Sequence, residues 1–108
     1  MKRVLAPFAF LALIPLLGVT SCASVFSDYC DKEVSCAGGN DKDKSACADS
    51  LRGDEKAASD YGCADQFDAV YTCRNNGTCD PTNKRFQTAC DVQKKALDDC
   101  IAANSALR

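Results

Sequence analysis

Nine of the 108 residues are cysteine, and this constrains the fold more than any other feature of the chain. Eight of them, Cys30, Cys36, Cys47, Cys63, Cys73, Cys79, Cys90 and Cys100, recur at intervals from residue 30 onward. In a small chain that reaches an oxidising compartment, an even set of this kind reads as a disulfide framework. Residues 22–108 are near the size at which an apolar core alone is marginal. The aromatic side chains available to them are few, and there is no Trp. Four bridges, each contributing about 2–4 kcal/mol, would supply what the thin core lacks. Each bridge also requires its two Cα atoms to lie within ~7 Å, so the pairing restricts how the elements can be arranged.

The ninth cysteine, Cys22, sits in a different setting. Lys2 and Arg3 form a short positive start, and Val4 to Val19 is an uncharged apolar run interrupted by Pro7, Pro15 and Gly18. The run is shorter than the ~20 residues of a membrane-spanning helix, and its flanks suit a secretory signal. Val19-Thr20-Ser21-Cys22 directly follows it. This tetrad resembles the lipobox of bacterial lipoproteins. The resemblance implies cleavage before Cys22, a lipid on its sulfur and an acylated amine, so that residues 1–21 are a signal peptide and 22–27 a lipidated tether. Two or more acyl chains give stable anchoring, whereas one is marginal. Ala23 follows the cysteine where an Asp would imply retention in the inner membrane, so the resemblance points to the outer membrane. Cleavage after Ala23, with Ser21 and Ala23 as the small residues, is the alternative and would give a secreted chain. Both leave the same eight cysteines.

The full-chain net charge is −2, and loss of Lys2 and Arg3 makes the remainder more acidic. The charges are interspersed. No basic patch or arginine cluster is present, which argues against nucleic acid as a partner. An acidic surface also disfavours a second, electrostatic contact with anionic lipid. The membrane is therefore expected as a partner only through the covalent lipid.

Periodicity predicts helices and no strands. Ser27 is positioned to cap a first helix from Asp28 to about Cys36. Ala37-Gly38-Gly39-Asn40 breaks it. Asp41 or Asp43 caps a second helix, about 43–59, with Cys47, Leu51, Asp54, Ala58 and Tyr61 at helical spacing. Gly62 marks a turn, and a third helix over 63–75 carries Cys63, Phe67, Val70, Tyr71 and Arg74 on one stripe. Asn75-Asn76-Gly77 ends it, with Gly77 suited to the left-handed position after a helix. Asp80 as cap and Pro81 as first residue open a fourth helix running to about Asn104. Its buried stripe is Phe86, Ala89, Cys90, Gln93, Leu97, Cys100 and Ile101. The expected fold is all-α: a small disulfide-rich helical bundle, with a helical hairpin over 63–103 preceded by shorter helices.

Nine residues separate Cys63 from Cys73, and nine separate Cys90 from Cys100, and each pair lies on one predicted helix. Ten positions rotate a helix by about −80° net, so both sulfurs can face one neighbour. Two antiparallel helices can thus be riveted as Cys63–Cys100 and Cys73–Cys90. The spacing resembles the twin CX9C pattern of coiled-coil–helix–coiled-coil–helix proteins over residues 63–100, a similarity read here as convergent geometry. Depth along the helices places the other four. Cys30 lies ~9 Å down the first helix and Cys47 ~6 Å down the second, at 1.5 Å per residue. This favours Cys30–Cys47 and leaves Cys36–Cys79, both in loops at the same end. By the same measure the CX9C pairs are offset by ~9 Å unless the 76–82 connection climbs. Over its whole length the chain is similar to small Cys-rich lipoproteins of Gram-negative bacteria, which share the lipobox, the Gly62–Asp68 type of segment and paired-cysteine helices. That similarity implies a compartment and a scaffold, but no activity.

Signals of chemistry are weak. There is no His, which removes the commonest general base and metal ligand. No CxxC spacing is present for a thioredoxin-type site. The cysteine spacings fit inter-helix bridges better than zinc knuckles. Asp98 and Asp99, adjacent on a helix, do not face each other and belong to a solvated surface. Asp41-Lys42-Asp43-Lys44 lacks the ligands of an EF-hand. Asn76-Gly77-Thr78 has the form of a glycosylation sequon but is read as a helix stop. Tyr61, Phe67 and Tyr71 are read as core. No catalytic residue, metal site or cofactor is therefore expected. Two functions remain: a non-catalytic, lipid-anchored envelope module that engages a protein partner, or a small disulfide-locked inhibitor of a hydrolase, acting through residues 75–82.

Overall fold

A computed structural model describes residues 24–107. Four helices and one short hairpin follow in the order α1 (Val25–Ala37), α2 (Asp41–Asp60), α3 (Ala64–Arg74), β1 (Thr78–Asp80), β2 (Arg85–Gln87) and α4 (Asp91–Asn104). The fold is mostly helical, as the periodicity predicts. The β-hairpin is a departure from the expected all-α bundle.

The first two helices end for a local reason. Gly38 adopts the left-handed conformation at φ 79°, and the amides of Gly38 and Gly39 return to the carbonyls of Ser35 and Val34. Gly62, at φ 73°, does the same after α2, with the amides of Gly62 and Cys63 bonded to Ser59 and Ala58. Both are Schellman closures, in which a residue without Cβ satisfies the last carbonyls. Between them, α2 is started by Asn40 rather than by Asp41 or Asp43. The Asn40 side chain accepts from the Lys42 and Asp43 amides, while Asp43 accepts from the Asn40 amide at 2.8 Å. This reciprocal capping box uses Asp43 as the partner of the cap. The first helix also begins earlier than expected, at Val25, so residues 25–27 are helix and Phe26 is 2% exposed.

The largest correction concerns residues 78–90. The sequence predicts a loop through Cys79 and a helix from Asp80-Pro81 onward, but Thr78–Asp80 pairs antiparallel with Arg85–Gln87, with Cys79 opposite Phe86. Asp80 accepts from the Thr82 amide at 2.9 Å and Asn83 from the Arg85 amide at 3.0 Å. Asp80 and Pro81 therefore begin a turn, not a helix, and α4 starts only at Asp91. Phe86 leaves the α4 stripe and packs edge-on against Tyr29 at 5.8 Å. Gly77 is not left-handed either. Among the described residues only Gly38, Gly62 and Lys84 have positive φ.

The core lies where α1, α2 and α3 meet. Phe26, Ala58, Cys63, Phe67, Val70 and Tyr71 are buried together, with Leu51, Leu97 and Ile101 half-buried against them. Phe26 meets Phe67 edge-on at 6.3 Å, and Tyr29 meets Tyr71 in the same way at 5.4 Å. Such arrangements place the positive ring edge on the negative face. Asp54, included in the predicted α2 stripe, is exposed.

Candidate functional site

The structure joins Cys30 to Cys47, Cys36 to Cys79, Cys63 to Cys100 and Cys73 to Cys90, with Cα separations of 5.8, 5.6, 6.0 and 5.9 Å. These are the same four pairs that helical spacing and depth select. The ~9 Å offset foreseen for the CX9C pairs is absent, for a reason that the sequence did not show. A hairpin leads the chain out and back, so α4 begins level with the end of α3. Cys63 and Cys90 stand immediately before α3 and α4, and Cys73 and Cys100 lie within them. Cys30, Cys63 and Cys90 are buried, so three bridges have one sulfur in the interior. Cys36–Cys79 has none. It is also the one bridge that ties the α1–α2 pair to the rest of the chain.

Four disulfides fit an oxidising, extracytoplasmic setting. Among the described residues no helix is long and apolar enough to cross a membrane. Cys22 lies outside the described residues.

The sequence-derived candidates for chemistry are dispersed. Asp98 and Asp99 each receive an ammonium from four residues back, Lys94 and Lys95, at 2.6 Å. All four side chains are more than half exposed, so these pairs contribute little to stability. Asn76 donates from Nδ2 to the Thr72 carbonyl at 3.1 Å, an interaction that belongs to the end of α3. Among the described residues no group of three or more Asp, Glu, Cys or His is placed to hold a metal ion.

A groove without any signature in the sequence lies between α2 and α4, floored by α3. Its cavity volume is about 260 Å³. Ala57, Ala58, Val70, Leu97 and Ile101 form the apolar lining, and Asp54, Arg74, Lys94 and Asp98 stand around it. Arg74 is the distinctive member. Its guanidinium carbon lies 5.1 Å from the Tyr71 ring centre and 5.8 Å from that of Tyr29. Its Nη1 donates to the Tyr71 hydroxyl at 3.1 Å. Cation–π contact and this bond hold the fork in place. Burial, with the Glu33 carboxylate adding to it, pushes the Tyr29 phenol up to about 12. Burial also raises Tyr71, against the opposing charge of Arg74. Both rings are therefore neutral at ordinary pH; Glu33 beside Tyr29 and Asp54 on the α2 rim act on the cluster, but neither forms an ion pair with Arg74. Tyr71 and Arg74 stand three apart on α3, so half of this contact was visible in the stripe. Tyr29 reaches them only through the tertiary fold.

Comparison with known proteins finds no matching family model, curated relative or solved structure. The fold defines a small, disulfide-stapled, mostly helical domain.

Proposed function

We propose that this chain is a lipid-anchored, non-catalytic module of the bacterial cell envelope, held at the outer membrane through Cys22 and engaging a protein partner. The supporting observation is the closeness of the folded core to Cys22. Phe26, four positions after Cys22, is already a core residue at 2% exposure. Four residues reach at most ~14 Å, so a lipid on Cys22 holds the bundle against the bilayer surface. A rigid body on a short leash suits local contact with a neighbour better than capture of distant ligands.

The deciding experiment is the intact mass of the chain purified from its native membranes, with and without reduction before alkylation. An acylated chain beginning at Cys22 is expected, with eight cysteines alkylated only after reduction. A chain beginning at Ser24 without acyl mass would overturn the anchor and leave a secreted protein. Thiols alkylated before reduction would overturn the all-structural role of the cysteines.

A further inference from the structure

Arg74, half-buried and in no ion pair among the described residues, is the feature of the groove that most needs an explanation. A half-buried guanidinium ordinarily has a carboxylate partner, because removing a charge from water is costly unless it is compensated. Lys44, Arg52, Lys56, Lys94 and Lys95 have theirs within helical reach, and the cations without one among the described residues, Lys32, Lys42, Lys84 and Arg85, are exposed to water. Arg74 makes no such pair among the described residues, although it is held on two rings. One of its donors meets the Tyr71 hydroxyl, and the rest of its fork remains available for a bidentate carboxylate.

The apolar part of the groove begins beside that fork. Val70 and Ala58 are almost fully buried beneath it, with Leu97 and Ile101 on the α4 side and Ala57 exposed on the α2 side. The volume of about 260 Å³ lies below the roughly 300–1,000 Å³ of sites that enclose a drug-sized ligand. It suits a single apolar side chain next to one carboxylate, in a channel open for the remaining chain to leave. Lys94 is engaged by Asp98 at 2.6 Å. Asp54, exposed on the α2 rim, adds a repulsion that a carboxylate on Arg74 must overcome, which favours a bidentate contact.

We infer that this groove captures the C-terminal residue of a protein chain that ends in an apolar side chain, with the terminal carboxylate on Arg74 and the side chain against Val70, Leu97 and Ile101. This deepens the reading of the molecule as an interaction module and rests on it.

The test uses the oxidised full chain in detergent and a fluorescent, otherwise polar peptide ending in leucine, followed by anisotropy. The free acid is expected to bind at least tenfold more tightly than the same peptide with an amidated end. Arg74→Gln, which keeps a donor for Tyr71, should lose at least tenfold. Ala57→Glu, at an exposed position in the groove wall, should lose as much without touching the core. Circular dichroism melts check that both variants fold. If Arg74→Gln does not fold, the amide comparison and Ala57→Glu still decide. Equal binding of acid and amide, or no saturable binding of either, overturns the inference. If N-acetyl-leucine binds as tightly as the peptide, a small apolar acid is the ligand and the chain end is overturned. Peptide binding by a chain that carries no lipid would count against the anchor alone; absence of binding by a lipidated chain would count against the groove alone.

Discussion

Gly77 sits where the chain leaves α3 and passes beneath the hairpin. A Cβ built there would lie 2.6 Å from the Gln87 carbonyl oxygen, 2.7 Å from the Thr88 methyl and 2.8 Å from the Phe86 ring. The nearest of these atoms is backbone, which cannot swing aside. Glycine is required here for closeness of approach and not for a left-handed turn. Gly77→Ala should therefore destabilise the molecule by about 1–3 kcal/mol, the range for forced overpacking. Chemical denaturation monitored by circular dichroism measures it, and an unchanged midpoint would contradict the contact. Gly53 is the useful contrast. It faces open space inside α2, so Ala there meets no atom within 4 Å.

Among the elements, the hairpin is the one least able to stand alone. Its strands are three residues each, and two-stranded ribbons are marginal in water. It is held by Phe86 against Tyr29 and by Cys79 bonded to Cys36. That bridge is the one in which neither cysteine is buried, so a thiol reaches it without opening the core. Under mild reduction of the native protein, Cys36 and Cys79 should be alkylated before the other six, as read by peptide mapping. Simultaneous release of all pairs would show instead that access requires global unfolding. The helices and their pairing were legible in the sequence because a helix turns residue number into height and direction. Cys30 and Cys47 could be matched on height alone. The hairpin was not legible. Thr78-Cys79-Asp80 and Arg85-Phe86-Gln87 each place a single apolar residue between two polar ones, a run too short to separate from a helix stripe, and Asp80-Pro81 opens a helix or a turn equally well. What decides between them is distant: Cys79 must reach Cys36, and Phe86 must reach Tyr29. The groove was hidden for the same reason. Tyr71 and Arg74 announce themselves at helical spacing, but Tyr29, Ala57 and Leu97 arrive from other elements.

At the scale of the molecule, the buried hydrophobic residues among those described are Phe26, Ala58, Phe67, Val70 and Tyr71 together with Cys30, Cys63 and Cys90. Cysteine thus supplies part of the core as well as its crosslinks. Complete reduction removes four constraints worth about 2–4 kcal/mol each, a total comparable to the whole stability of a domain. The fully reduced chain should lose its helical circular dichroism at neutral pH and regain it on reoxidation. Retention of the native spectrum after reduction would mean that packing alone suffices.

The order of the bridges along the chain has one more consequence. The spans Cys30–Cys47, Cys36–Cys79 and Cys63–Cys100 overlap, so every peptide bond between Cys30 and Cys100 is enclosed by at least one of them. A protease that cuts once anywhere in that stretch produces two fragments that cannot part. Only the exposed bridge between α1 and the hairpin encloses the bonds from Cys47 to Cys63. While it is closed, a nicked molecule remains one molecule; once it opens, a single cut in the second half of α2 divides the molecule in two.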